Sequence, residues 1–197
     1  MFQLPNALTV LRILLVPVFA FAFMLPGETW RLASFAVFCL AGVSDALDGL
    51  AARRLRASSE FGRMLDPIAD KILVAVALMM LVARGVLTGF ELVPALVILA
   101  REILVSGLRE FLATASVSVP VTRVSKLKTV LQMIAIGAMI LGPVADQIVR
   151  GVLDLAYALL WIAAALTVYT GLAYLQAGLA HLRNIQPAPH TRPGGSA

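Results

Sequence analysis

Residues 44–71 read SDALDGLAARRLRASSEFGRMLDPIADK, with a pair of aspartates towards each end. Asp45 and Asp48 are three positions apart, and Asp66 and Asp70 are four apart. At roughly 100° of rotation per residue, each pair falls on one face of an α-helix. Uncharged residues run from 32 to 44 before the first pair and from 72 to 83 after the second. Between the pairs lie Arg53, Arg54, Arg56 and Arg63. The stretch therefore reads as two apolar helices meeting across a basic loop. An antiparallel hairpin of this kind brings all four carboxylates to one level.

Outward from this hairpin the pattern repeats. Apolar segments occupy 7–25, 31–52, 62–84, 90–112, 127–148 and 152–180. A transmembrane helix needs ~20 apolar residues, and no ten-residue alternation suggests a β-barrel. Hydrophobic residues make up 60% of the chain and charged residues 14%, against about a quarter charged in soluble domains. The mean hydropathy is +0.93. These values exclude an ordinary soluble domain. The expected fold is all-α: a polytopic membrane protein with six transmembrane helices and a short N-terminal interfacial segment, Pro5 and Asn6 marking the first helix start. Residues 1–183 read as one domain, and the Pro- and Gly-rich residues 184–197 as a disordered cytoplasmic tail.

Charge sets the orientation. With the N-terminus inside, all of the sixteen basic residues except Arg31, Arg84 and Arg150 fall at or near the cytoplasmic side. The positive-inside rule then places both termini in the cytoplasm. The net charge of +5 follows from topology and an anionic lipid surface, so no nucleic-acid partner is expected. No Lys or Arg precedes the first apolar run and Arg12 interrupts it, unlike a cleavable signal. Cys39, the single cysteine, reads as a small packing residue.

The uncharged runs beside the aspartates span roughly 18–20 Å at 1.5 Å per residue. The hydrocarbon core is ~30 Å thick. The acidic helix ends are therefore expected below the cytoplasmic surface, in a recess about 10 Å deep by subtraction. Carboxylates crowded in a partly dry site repel one another, so either some are protonated or cations neutralise them. Two divalent ions balance four negative charges, and hard oxygen ligands suit Mg²⁺ or Mn²⁺. A zinc site is not expected without Cys or His in the cluster. Gly49 and Ala52 allow either close helix packing or close approach of a ligand, and Arg53 is placed to meet phosphate oxygens. The bland alternative, acids that merely balance loop arginines, accounts poorly for four costly carboxylates at paired helical spacing.

The string Asp45-x-x-Asp48-Gly49-x-x-Ala52-Arg53, eight residues, then Gly62-x-x-x-Asp66-x-x-x-Asp70 resembles the signature of the CDP-alcohol phosphatidyltransferases at every defined position. LPNALTVLRILLVPVF near the start, AREILVSGLREFLA and SKLKTVLQMIAI resemble the bacterial branch whose acceptor is sn-glycerol 3-phosphate. Ser125 stands where that branch is expected to have Gly. The resemblance covers roughly residues 3–180. It implies that Asp45, Asp48, Asp66 and Asp70 are ligands of two divalent cations and that Asp70 is also the general base. It implies that Gly49, Ala52, Arg53 and Gly62 line the CDP-diacylglycerol site, with Thr9 and Arg12 approaching from the first helix. It further implies a six-helix homodimer in the bacterial inner membrane, its active site open to the cytoplasm.

The acceptor is decided by the other wall of the pocket. Arg101, Arg109, Lys126 and Lys128 flank the link between the fourth and fifth segments. A phosphorylated acceptor needs such cations, yet positive-inside bias also predicts most of them; both readings stand. His181 and Arg183 read as interfacial residues. The same chemistry with inositol phosphate or phosphatidylglycerol as acceptor is the nearest alternative. A divalent-cation transporter is a remote one, because Arg53, Arg54, Arg56 and Arg63 would repel entering cations.

Overall fold

A computed structural model of the chain describes residues 4–55, 60–114 and 123–185. Within them, side chains are described outside 4–8, 45–55, 60–64, 66–67, 70, 123, 181–182 and 184–185. Among the described residues the structure is helical throughout. In chain order it has α1 (Leu4–Met24), α2 (Glu28–Leu55), α3 (Glu60–Ala83), a 3-10 turn (Gly89–Glu91), α4 (Leu92–Thr114), α5 (Arg123–Ile148) and α6 (Val152–Ile185).

The breaks follow local chemistry. Pro26 and Gly27 separate α1 from α2, since Pro ends a helix and Gly27 takes a φ of 104°. Gly151, at φ 91°, turns α5 into α6 and donates its N–H to Asp146 Oδ1 at 2.9 Å. Several helices run beyond the apolar segments. α2 continues to Leu55, α5 starts at Arg123 and α6 reaches Ile185. Ala, Leu and Arg are strong helix formers whether or not lipid surrounds them, so the apolar boundary and the helix boundary need not coincide. The tail from 186 onward lies outside the described residues.

α5 and α6 form the most extensive pair, α4 lies along α6, and α1 packs on both α2 and α3. Direct contact between α2 and α3 is slight among the described residues. α1 thus contacts both of the aspartate-bearing helices. Phe19 is central to this arrangement, with its ring 5.7 Å from Phe23 and 5.9 Å from Phe38 on α2. Leu73 and Leu81 of α3, Ile98 of α4, Ile136 and Ile140 of α5 and Leu160 of α6 complete one continuous core.

Polar groups lie inside the bundle while large apolar side chains face outward. Thr9, Arg12, Ser34, Ser44, Lys128, Gln132, Thr167 and Thr170 are buried, while Phe21, Leu40, Met79, Leu96, Ile103, Ile134, Leu155 and Leu172 are exposed. Large exposed apolar side chains on every helix would make a soluble monomer aggregate; in a bilayer they are solvated. The segments Val124–Ile148 and Val152–Ala180 are long and apolar enough to cross a membrane, and Thr9–Met24 and Lys71–Ala83 are shorter apolar runs. These features are those of a membrane protein.

Candidate active site

α2 carries Asp45, Asp48, Gly49, Ala52 and Arg53, and α3 carries Gly62, Asp66 and Asp70. The backbone is helical at all of these positions, so each aspartate pair is separated by about one helical turn, as the spacing requires. Their side chains lie outside the described residues. The donor set fits hard divalent cations: four carboxylates on two helices tied together by α1, with no softer ligand among them.

Thr9 and Arg12 are both enclosed, at 1% and 0% exposure. Three positions apart on α1, they share a face of the helix that lies against both α2 and α3. A fully buried guanidinium is retained only where anions or acceptors meet it.

Beside α3, a cavity of about 600 Å³ opens among α4, α5 and α6. Arg101, Arg109 and Lys128 line it, and Lys71, the residue after Asp70, brings α3 to the same wall. Lys126 is exposed and is not among the lining residues. It stands two positions before Lys128, so helical rotation carries it to another face of α5.

The cations are held, not merely gathered. Lys128 is 3% exposed and its Nζ pairs with Glu102 Oε1. Arg101 donates from Nη1 to the same oxygen at 3.5 Å and from Nη2 to Thr170 Oγ1 at 2.9 Å. The lining residues bring four cations, Lys71, Arg101, Arg109 and Lys128, against the two carboxylates Glu102 and Glu110. Among the described lining residues cations outnumber carboxylates, which suits the cavity to a small anion. Its volume is within the ordinary range for small-molecule sites, ~300–1,000 Å³.

Some of this wall carried no signal in the sequence. Glu102 is marked in the sequence, as an acid that follows Arg101 at the end of an uncharged run. Thr170 and Tyr174 of α6 had no such mark, because a hydroxyl residue in a long apolar helix is common and its partner is 69 positions away. Ser125, which stands at the expected glycine, lines the cavity.

Comparison with known proteins shows the family. The profile of the CDP-alcohol phosphatidyltransferase family matches residues 2–169. A Rickettsia felis protein named CDP-diacylglycerol–glycerol-3-phosphate 3-phosphatidyltransferase is 45% identical over 176 residues, covering 89% of this chain and 94% of the relative. Proteins of the same name from Pseudomonas fluorescens and Escherichia coli K12 are 44% and 40% identical, covering 92% and 97% of their own lengths. With the signature aspartates on two helices joined by α1 and a profile match over most of its length, the chain belongs to the CDP-alcohol phosphatidyltransferase family.

Proposed function

We propose that the protein transfers the phosphatidyl group of CDP-diacylglycerol to sn-glycerol 3-phosphate, giving phosphatidylglycerol phosphate and CMP. The observation that carries this reading is the cation-lined cavity against α3. Arg101, Arg109 and Lys128 supply an anion site, and Lys71 brings its edge next to Asp70 in the chain. A small alcohol that carries a phosphate suits that combination, with its phosphate among the cations and its hydroxyl towards α3. Relatives at 40–46% identity are named for this donor and this acceptor.

Asp45, Asp48, Asp66 and Asp70 are the residues that would hold divalent cations, Mg²⁺ or Mn²⁺, which when bound supply charge neutralisation at the diphosphate. Arg53, Thr9 and Arg12 hold and orient the diphosphate, while Gly49, Ala52 and Gly62 leave room for the nucleotide. Asp70 takes the proton from the attacking hydroxyl. The hydroxyl oxygen forms a bond to the β-phosphorus, and the bond from that phosphorus to the oxygen bridging to CMP breaks. CMP leaves with the electron pair. The enzyme works as a homodimer of six-span subunits in the bacterial inner membrane, with both termini and the active site on the cytoplasmic side.

The test is CMP release by detergent-purified protein given CDP-diacylglycerol, Mg²⁺ and one acceptor at a time: sn-glycerol 3-phosphate, serine, inositol phosphate or phosphatidylglycerol. Release is expected with sn-glycerol 3-phosphate alone, abolished by EDTA and restored by Mg²⁺ or Mn²⁺. Asp70→Asn should lower the rate by a factor of about 10²–10⁴, the usual worth of a positioned general base. Release with a different acceptor overturns the acceptor assignment. No metal-dependent release with any of them, from folded protein, overturns the enzyme reading and favours cation transport.

A further inference from the structure

Arg101 is seated by α6 in a way that the acceptor reading alone does not require. Its Nη2 donates to Thr170 Oγ1 at 2.9 Å. Thr170 is 6% exposed and its own hydroxyl proton is directed to Leu166 O, at 2.9 Å, and Thr167 O, at 3.2 Å. A guanidinium has no acceptor. The hydroxyl must therefore donate back to its helix and accept from Arg101, so both ends of this chain of hydrogen bonds have a set direction.

The next residue, Gly171, gives the guanidinium its room. A Cβ built there would stand 3.3 Å from both Cγ and Nε of Arg101, and 3.7 Å from Val105 Cγ2. That is tight enough to push the arginine aside by a few tenths of an ångström. Arg101 Nε is buried on this side, with no hydrogen-bond partner among the described residues, so the guanidinium stem depends on the room that Gly171 leaves. The family profile ends at residue 169, one position before this seat.

We propose that Thr170 and Gly171 form a ledge that positions the Arg101 guanidinium for the phosphate of the acceptor, and so set the affinity for that substrate. They are positioning residues, acting through Arg101. The inference rests on the acceptor reading above. Thr170→Val keeps the shape but removes the acceptor oxygen, and Thr170→Ser restores the oxygen without the methyl. Gly171→Ala displaces the same guanidinium from the other side.

Steady-state kinetics with each substrate varied in turn provide the test, with Arg101→Ala as the reference. Thr170→Val and Gly171→Ala should each raise KM for sn-glycerol 3-phosphate about tenfold, the worth of one hydrogen bond to a charged group. KM for CDP-diacylglycerol should stay within about twofold of wild type in both, well inside that tenfold effect, and Thr170→Ser should resemble wild type. A structural defect would instead lower the amount of active enzyme, leaving both KM values alone. If Arg101→Ala leaves the acceptor KM unchanged, the acceptor reading of this cavity fails. If Arg101→Ala raises it but Thr170→Val does not, or if Thr170→Ser fails to rescue, the ledge is overturned and the acceptor reading stands.

Discussion

At the scale of single residues, Glu102 carries an unusual load. One carboxylate oxygen meets both Lys128 Nζ and Arg101 Nη1, with Lys128 almost fully enclosed. An arriving phosphate would offer these two cations a second anion. Removing Glu102 leaves the cations to repel each other in a half-dry space, whereas removing both members of the pair leaves little uncompensated charge. Glu102→Gln should therefore lower stability in detergent by about 2 kcal/mol, and Glu102→Gln combined with Lys128→Met should recover part of it. A ligand that binds only the folded state raises its stability. sn-Glycerol 3-phosphate should consequently raise the thermal midpoint of Glu102→Gln more than that of wild type. Equal shifts in the two proteins would show that the carboxylate and the substrate phosphate do not compete for the same cations.

At the scale of elements, close approach between helices depends on glycines whose spacing has no period. Gly142 of α5 faces Leu153 of α6, and a Cβ there would fall 2.2 Å from Leu153 Cδ2; at Gly178 it would fall 2.8 Å from Leu108 Cδ1 on α4. Small residues at such crossings let backbones pack closely where lipid offers no hydrophobic drive for association. Gly142→Ala is expected to destabilise the α5–α6 pair, and Leu153→Ala to relieve it, with a coupling of about 1 kcal/mol in a double-mutant cycle of thermal unfolding. Additive effects would place the strain elsewhere. These crossings also mark the limit of what the sequence discloses. Helix existence was legible in the apolar runs, because both lipid exposure and burial favour the same residues there. The Asp45–Asp48 and Asp66–Asp70 spacing was legible because 3.6-residue periodicity is local. The bridging place of α1 was not, since Phe19 meets Phe38 by tertiary packing that no short-range pattern encodes. The same holds for Thr170, which reaches Arg101 only once α4 and α6 lie side by side, and for Lys126, whose charge resembles that of Lys128 while its face differs.

At the scale of the whole molecule, the two ends of the bundle differ in chemistry. One end gathers the connections after α1, α3 and α5. Arg84 Nη1 donates to Met24 O at 3.4 Å, Tyr157 OH to Val86 O at 2.6 Å and Trp161 Nε1 to Glu91 Oε2 at 3.0 Å, while Phe90 stacks on Trp161 at 5.1 Å. Aromatic rings with polar tips and a few arginines suit a membrane–water interface. The other end holds the cavity, with Arg109, Thr114 and Ser125 on its wall. Because α2 runs away from the first end and α3 returns to it, the four aspartates belong to the cavity end. In the proposed function that end faces the cytoplasm, in keeping with its basic residues and the positive-inside rule, and a water-soluble phosphorylated acceptor would meet a lipid donor there. Cysteine labelling tests the orientation. In a Cys39→Ser background, Thr88→Cys lies at the aromatic end and Thr114→Cys at the cavity, and both positions are exposed. A membrane-impermeant maleimide added to intact spheroplasts should label Thr88→Cys and spare Thr114→Cys. Inverted membrane vesicles should give the opposite pattern, with sn-glycerol 3-phosphate slowing the labelling of Thr114→Cys. Labelling of Thr114→Cys from outside would reverse the protein in its membrane and separate the cavity from a cytoplasmic substrate.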